Sequence, residues 1–366
     1  MSKLLWLALV SSCLLFAGSL PAEDLVLKGT VGKFPVVMTL TTDEGGVGGS
    51  YFYQKHKQDI HLRGELKAGG YQLIAGGFGV PESTLDKFSL HRDGDSVTGS
   101  YAGADGKTLP VALQRVPPGT VQDPRPDLKL AFGINPDYEK LRLAGMQVVT
   151  GKRETVHGQY EIQWYVEPLS KERMFQLLRG YPTAVMDSIN RQLAKNQYRA
   201  GLADLSCAGD GAEPSVITIR LMNDRFVSYS TYSTWDCDGA AHPDEATEGA
   251  SFDARTGKAL TLDDVWWRGK GPKPAEDSDA WFKYRREVFA PAVVKQFAQW
   301  YPEQMQEGSS YADPDIWNMP AWYLTDRGLY LVPAFSHIDS GLGENLDWPV
   351  VPYRVLRKAN PVLFEN

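Results

Sequence analysis

The chain has 366 residues, with 38 Lys and Arg against 45 Asp and Glu for a net charge of −7, and 43% of it is hydrophobic. The charges are mixed, with no basic run or stripe, which argues against nucleic acid as a partner and leaves a long-range bias toward basic ones. The apolar share supports a packed core, and the length points to two domains.

Residues 1–22 have the layout of a secretory signal peptide. Lys3 gives a short positive start, Leu4 to Phe16 an apolar run, and Ala17 to Ala22 a small-residue exit, with cleavage after Ala22 or Ser19. The run is too short to span a bilayer and no later stretch is long enough, so no transmembrane anchor is expected. A rival reading takes Val10-Ser-Ser-Cys13 as a lipoprotein box, at the cost of a very short apolar core and an exposed Leu14-Leu-Phe16. The expected product is periplasmic or secreted, one charge unit more negative once Lys3 is gone. Loss of Cys13 leaves Cys207 and Cys237, and an even count in an exported chain favours a disulfide. Closing that loop stabilises a fold by about 3–4 kcal/mol on the chain-entropy model.

Residues 23–116 alternate with a period of two. Short strands are expected at 25–27, 34–40, 50–53, 60–63, 71–74, 87–90, 97–101 and 109–113, with hairpin turns at Gly45-Gly46, Gly69-Gly70, Asp93-Gly94 and Asp105-Gly106. Val47-Gly-Gly-Ser-Tyr51 returns as Val97-Thr-Gly-Ser-Tyr101, a hint of internal similarity. The expectation is an all-β antiparallel domain, barrel-like or a curved sheet. Four prolines within residues 117–126 then mark a linker or strap, 117–127.

Residues 128–366 mix both element types and point to an α+β domain, with helices packed on an antiparallel sheet. Tyr160–Val166 reads as a strand, and Lys171–Leu178 and Pro182–Lys195 as helices, the second with Val185, Ile189 and Leu193 at four-residue spacing. Val216–Met222 and Phe226–Trp235 form a hairpin turning at Asn223-Asp224, which sets Cys237 opposite about residue 210. Ala250–Asp253 precedes a turn, and Val288–Gln306 carries Phe289, Val293, Phe297 and Trp300 on one helical face. Tyr323–Pro333 and Val350–Leu356 close the domain as strands.

The search for chemistry is largely negative. There is no nucleophile elbow, phosphate-binding loop or His-Glu-x-x-His, so no catalytic residue, metal site or cofactor is assigned. His56, His61, His91, His157, His242 and His337 are scattered. His242 has Asp236, Asp238, Asp244 and Glu245 near it in sequence, which permits a carboxylate-paired histidine or simply a polar turn. Asp236-Cys-Asp-Gly239 lacks the third acidic position and distal glutamate of a calcium loop. Asp263-Asp264 reads as a helix start capped by Thr261, and Glu276 to Asp279 as a solvated loop. Phe226–Trp235 differs: Val227, Tyr229, Thr231, Ser233 and Trp235 lie on one face, and Phe226, Ser228, Ser230, Tyr232 and Thr234 on the other. Mixtures of tyrosine and serine make adaptable contact surfaces. Tyr229, Tyr232, Trp235, Asp236 and His242 are the candidate binding residues.

Tyr229-Ser-Thr-Tyr-Ser233, Gly239-Ala-Ala-His242 and Ala250 through Val265 together resemble an exported domain of the RsiV/PdaC type. That domain occurs in a lysozyme-sensing anti-sigma factor and beside peptidoglycan deacetylase domains. Tyr181 to Asn190, Trp322 to Tyr330 and Val350 to Tyr353 resemble its first helix and closing strands, so the likeness covers about 160–357. Gly-Ala-Ala-His replaces the usual Gly-Gly-Ala-His, and neither a deacetylase domain, an anti-sigma segment nor a membrane helix is found. The resemblance implies a binding domain near the cell wall, with a basic wall-acting protein such as lysozyme, or peptidoglycan fragments, as partner. The functional expectation is thus a non-enzymatic binding protein of the cell envelope; the alternatives are an enzyme acting on envelope glycans and an envelope scaffold.

Overall fold

The structure, a computed structural model, describes residues 23–43, 46–67, 70–77, 79–209, 211–335 and 346–364. The leader, Cys13, Gly45, Gly69 and His337 lie outside the described residues.

The alternating N-terminal segment forms eight antiparallel strands: β1 (Glu23–Val31), β2 (Phe34–Asp43), β3 (Gly46–Tyr53), β4 (Ile60–Lys67), β5 (Gly70–Ala75), β6 (Asp86–Asp93), β7 (Ser96–Ala102) and β8 (Thr108–Arg115). Each pairs with the next. β8 returns to β1, with Leu27 opposite Arg115 and Val31 opposite Val111, so the sheet closes into a barrel. Eight strands enclose only enough space for side chains, and Leu27, Met38, Leu40, Tyr51, Leu73, Phe88 and Leu113 fill it. The repeated motif falls on β3 and β7. A Cβ on Gly49 would sit 2.0 Å from the Thr39 carbonyl oxygen, and one on Gly99 2.0 Å from that of Ser89. Glycine is required where neighbouring strands press together as the sheet curls. Tyr51 and Tyr101, four residues beyond the two valines, meet the Phe88 ring edge-on at 5.3 and 5.2 Å.

The proline-rich strap runs over the surface to α1 (Pro136–Leu143), and its Arg125 lies 4.7 Å over the Tyr198 ring. Helix α1 lays Tyr138 and Leu141 on an apolar patch outside the barrel made by Val26, Val37 and Phe52. The loop between β3 and β4 completes this junction. Asp59, 6% exposed, accepts hydrogen bonds from the buried Arg142 guanidinium and, at 2.5 Å, from the Tyr138 hydroxyl. Burial outweighs these partners and holds the Asp59 carboxyl above its ordinary range.

Beyond α1, β9 (Val149–Val156), β10 (Tyr160–Val166) and β11 (Arg173–Arg179) form a three-stranded antiparallel sheet. The helix expected at Lys171–Leu178 is therefore a strand. Its apolar run is short, and Phe175 and Leu177 bury one face while pairing with β10, which would otherwise lack a neighbour on that side. Helix α2 (Thr183–Ser206) follows as expected but continues past Lys195, because Tyr198 and Leu205 extend its buried stripe. The expected hairpin is β12 (Gly211–Met222) and β13 (Phe226–Asp236), turning at Asn223 to Arg225. β14 (Asp244–Asp253) pairs with β13 along its length and contains the Ala250–Asp253 segment before the turn, and β15 (Lys258–Ala259) ends this sheet.

Thr261 caps α3 (Leu262–Trp266) in a reciprocal box with Asp264, as expected. The helix expected at Val288–Gln306 begins earlier, as α4 (Asp279–Tyr284), and passes through a π turn at Arg285–Phe289 into α5 (Ala290–Trp300). The widened turn lies where Pro291, having no N–H, could not donate back to Glu287. Pro302 then bars helical geometry at Tyr301, ending the run well before Gln306. β16 (Ala321–Leu324), β17 (Gly328–Val332) and β18 (Val350–Pro352) form the last sheet. The strand expected to reach Leu356 stops at Pro352, which cannot extend a ladder, and the chain turns into α6 (Tyr353–Ala359) and α7 (Pro361–Phe364). Among the described residues no helix is long and apolar enough to cross a membrane.

Arg142→Met should lower unfolding free energy by about 3–5 kcal/mol in urea melts, since it strands the buried Asp59 carboxylate. A loss near zero would show that the barrel and α1 are not held by this pair.

Candidate functional site

The expected disulfide joins Cys207, just after α2, to Cys237, just after β13. Gly211 pairs with Asp236, and the Asp238 amide donates to the Ala208 carbonyl at 2.8 Å, so the helix end and the strand end are tied side by side. The loop between β3 and β4 adds to this point. The Asp59 amide donates to Leu205 O at 2.8 Å, and the Gln58 amide to Cys207 O.

Between α2 and the β12–β13–β14 sheet lies a cleft of about 440 Å³. Alternation along β13 turns Tyr229, Thr231, Ser233 and Trp235 into it, one of the two faces legible in the sequence. Helix α2 contributes Asn196, Arg199, Ala200, Ala203 and Asp204, whose spacing places them on one helical face. The two alanines leave the room. Glu172, from the turn before β11, completes the floor.

Tyr229 is 2% exposed, its hydroxyl accepts from the Asn196 amide at 2.8 Å, and its ring meets Phe175 edge-on at 5.6 Å. It forms the rigid base of the wall. Trp235 is half-buried near the disulfide, and the Ser215 and Ser233 hydroxyls bond across the sheet at 2.8 Å. At the rim, Arg199 reaches across to Glu248 at 3.0 Å, an exposed ion pair worth little to stability.

The electrostatic feature is a pair of carboxyls. Glu172 is 1% exposed, and its Oε1 accepts from the Ser215 amide at 2.6 Å. The Asp204 carboxyl faces it within hydrogen-bonding reach, and burial, then the Glu172 charge, pushes Asp204 up to about 8. Asp204 Oδ2 is buried with no hydrogen-bond donor of its own, so the Asp204 carboxyl favours its protonated form beside Glu172. Glycosidase pairs stand about 5–5.5 Å or 6.5–9.5 Å apart to admit a sugar between them, and carboxyls in mutual contact leave no such gap.

The other candidates are not brought to this cleft. Tyr232 lies on the opposite face of β13, where its hydroxyl bonds Glu245. Asp236 and His242 are exposed at the far end of the hairpin, and His242 Nδ1 donates to Pro243 O at 3.0 Å. Asp263, read above only as part of a helix start, is a buried anchor. It accepts from Trp281 Nε1 at 2.9 Å, Tyr284 OH at 3.3 Å and Arg285 Nη2 at 3.3 Å, fixing α4 and the π turn against α3. Among the described residues no group of three His, Cys, Asp or Glu side chains could hold a metal ion.

Sequence reasoning missed Glu172 and Asp204. Asp204 carries a partial signal, at i+8 from Asn196 on a helix face that also holds Arg199, Ala200 and Ala203. Glu172 carries none, because its role exists only once the β10–β11 turn folds beneath α2. Comparison of the sequence with known protein-family models and with curated proteins found no match to either.

A carboxyl with a raised folded-state pKa keeps a proton that the unfolded chain has released, so its contribution to stability is lost as pH rises from about 4 toward about 8. Asp204→Asn should flatten this decline and melt higher than wild type at pH 9, with little difference at pH 5. Parallel melting-temperature profiles for the two proteins would contradict a proton held on Asp204 at neutral pH.

Proposed function

We propose that this is an exported, non-enzymatic binding protein of the cell envelope, built as a β-barrel domain followed by an α+β domain of the RsiV/PdaC type. The α+β domain is the recognition module, and its ligand enters the cleft between α2 and β13. The observation that carries the reading is the pairing of an aromatic and hydroxyl-lined wall (Tyr229, Thr231, Ser233, Trp235) with two contacting acids, Glu172 and Asp204. Such a floor suits an ammonium or guanidinium, which replaces the proton held on Asp204 and pairs with the two acids. A Lys or Arg side chain of a basic wall hydrolase such as lysozyme provides that group, as does a free amine on a peptidoglycan fragment.

The contact between the acids favours binding over glycan hydrolysis, since no substrate bond fits between them. The disulfide, which suits an oxidising compartment, supports export. His242, exposed and bonded to a neighbouring carbonyl, is peripheral to this mode of recognition.

The test is titration of the protein into a lysozyme wall-clearing assay, with calorimetry at two salt concentrations and in two buffers of different ionisation enthalpy. The expected result is near one-to-one inhibition that weakens with salt and releases a proton on binding. Trp235→Ala should weaken it about tenfold or more, as removal of a central aromatic does, and His242→Ala should change it little. Absence of both heat and inhibition, with lysozyme and with amine-bearing wall fragments, would end this proposal.

A further inference from the structure

A second cavity, about 440 Å³, opens between the barrel and α1. It is lined by Lys28 of β1, Gln54, Lys55 and Lys57 of the β3–β4 loop, Gln147, and Glu167 at the end of β10. Three lysines converge here in a protein whose net charge is −7. None of the three forms an ion pair among the described residues, and Glu167 is the single carboxylate in the lining. Glu167 is engaged elsewhere: its Oε2 accepts from the amides of Leu169 and Ser170 at 3.0 and 2.7 Å and from the Ser170 hydroxyl at 2.9 Å.

Lys57 is the unusual member. Only 6% of it is exposed, yet its Nζ has one long hydrogen bond, 3.4 Å to Leu141 O, and the Phe52 ring at 5.8 Å. Its backbone sits at φ 60°, a left-handed conformation that is strained for a lysine. Room for its head is made by a glycine: a Cβ on Gly145 would lie 2.6 Å from Lys57 Cε and 2.8 Å from Nζ. Burial first, then the charges of Arg142 and Lys28, hold the ammonium below the ordinary lysine range against the pull of Glu167. A strained backbone, a cleared path and an under-bonded cation at the wall of a cavity between two packed units are the marks of a site that awaits a counter-charge.

We infer that this cavity is a binding site for an oxyanion, carboxylate or phosphate, carried on a small molecule. Lys57 supplies the buried charge, Lys28 and Lys55 close over the anion from the rim, and Gln54 and Gln147 offer neutral hydrogen bonds. The cleft under α2 takes a cation and this cavity an anion, so the two sites are independent and can fail separately.

The experiment is calorimetry of the folded protein with inorganic pyrophosphate and with citrate, alongside melting temperature against ligand concentration. At least one anion is expected to bind saturably, raise the melting temperature and weaken with salt. Which of the two binds tells phosphate from carboxylate. Lys57→Met, which keeps the volume and removes a poorly paired buried charge, should fold at least as well as wild type and bind about tenfold or more weakly. The exposed Lys55→Gln should weaken binding less, with an unchanged melt. The inference is overturned if neither anion binds, or if Lys57→Met binds as wild type does.

Discussion

The bond between Cys207 and Cys237 is the constraint on which the rest of the site depends. Without it, the end of α2 and the end of β13 meet only through a few hydrogen bonds around a glycine-rich turn. With it, the helix face bearing Asp204 and the strand face bearing Trp235 stay in register along the whole cleft. The barrel leans on the same place, since Gln58 and Asp59 donate to carbonyls at residues 207 and 205. The covalent link, the floor of the cleft and the seat of the barrel therefore share one short segment of chain.

A strand with no clean apolar stripe turns out to serve two packed layers. One face of β13 sends Val227 and Tyr229 into the core beneath α2 and then opens into the cleft. The other sends Phe226 toward the helices and lays Ser228 under β16, where its hydroxyl accepts from the Leu324 amide at 2.9 Å and bonds Ser251 at 2.8 Å. The serines in the middle are there because two sheets approach closely at that point, and a hydroxyl both fits and satisfies a buried amide. What reads in sequence as a uniform contact surface is divided by position: packing at the start, recognition on one face toward the end.

Local pattern made much of this molecule legible. Period-two alternation with glycine punctuation located all eight barrel strands, and the four-residue spacing in α2 located the helix. The Thr261 cap and the disulfide were readable from residue type and placement. Closure of the barrel was not, because pairing of β1 with β8 joins the two ends of the segment. The strand within Lys171–Leu178 is not legible because eight residues with four apolar positions fit either period, and only the need of β10 for a neighbour decides between them. The acid pair was invisible for the same reason. Glu172 and Asp204 come from elements whose sequence separation carries no pattern, and Gly145 makes room for Lys57 across a still longer gap. Tyr232, Asp236 and His242 stand out by neighbourhood in sequence, but the pleat turns Tyr232 and Asp236 to the face opposite Tyr229 and Trp235, and His242 lies in the connection to β14.

Closure of the barrel also has a kinetic meaning. Seven of its eight strand pairings join neighbours in sequence and can form as soon as each hairpin is made. The eighth brings Leu27 to Arg115 and must wait for every other strand. Loop-closure entropy falls on that last step, and until it occurs β1 and β8 both present open edges that can recruit another chain. Because α1 docks on the outside of β2 and β3 and the β3–β4 loop reaches α2, the later elements find their seat only on a ring already curled. Folding of this protein should be paced by β1 meeting β8, and its most aggregation-prone moment is the interval just before they do.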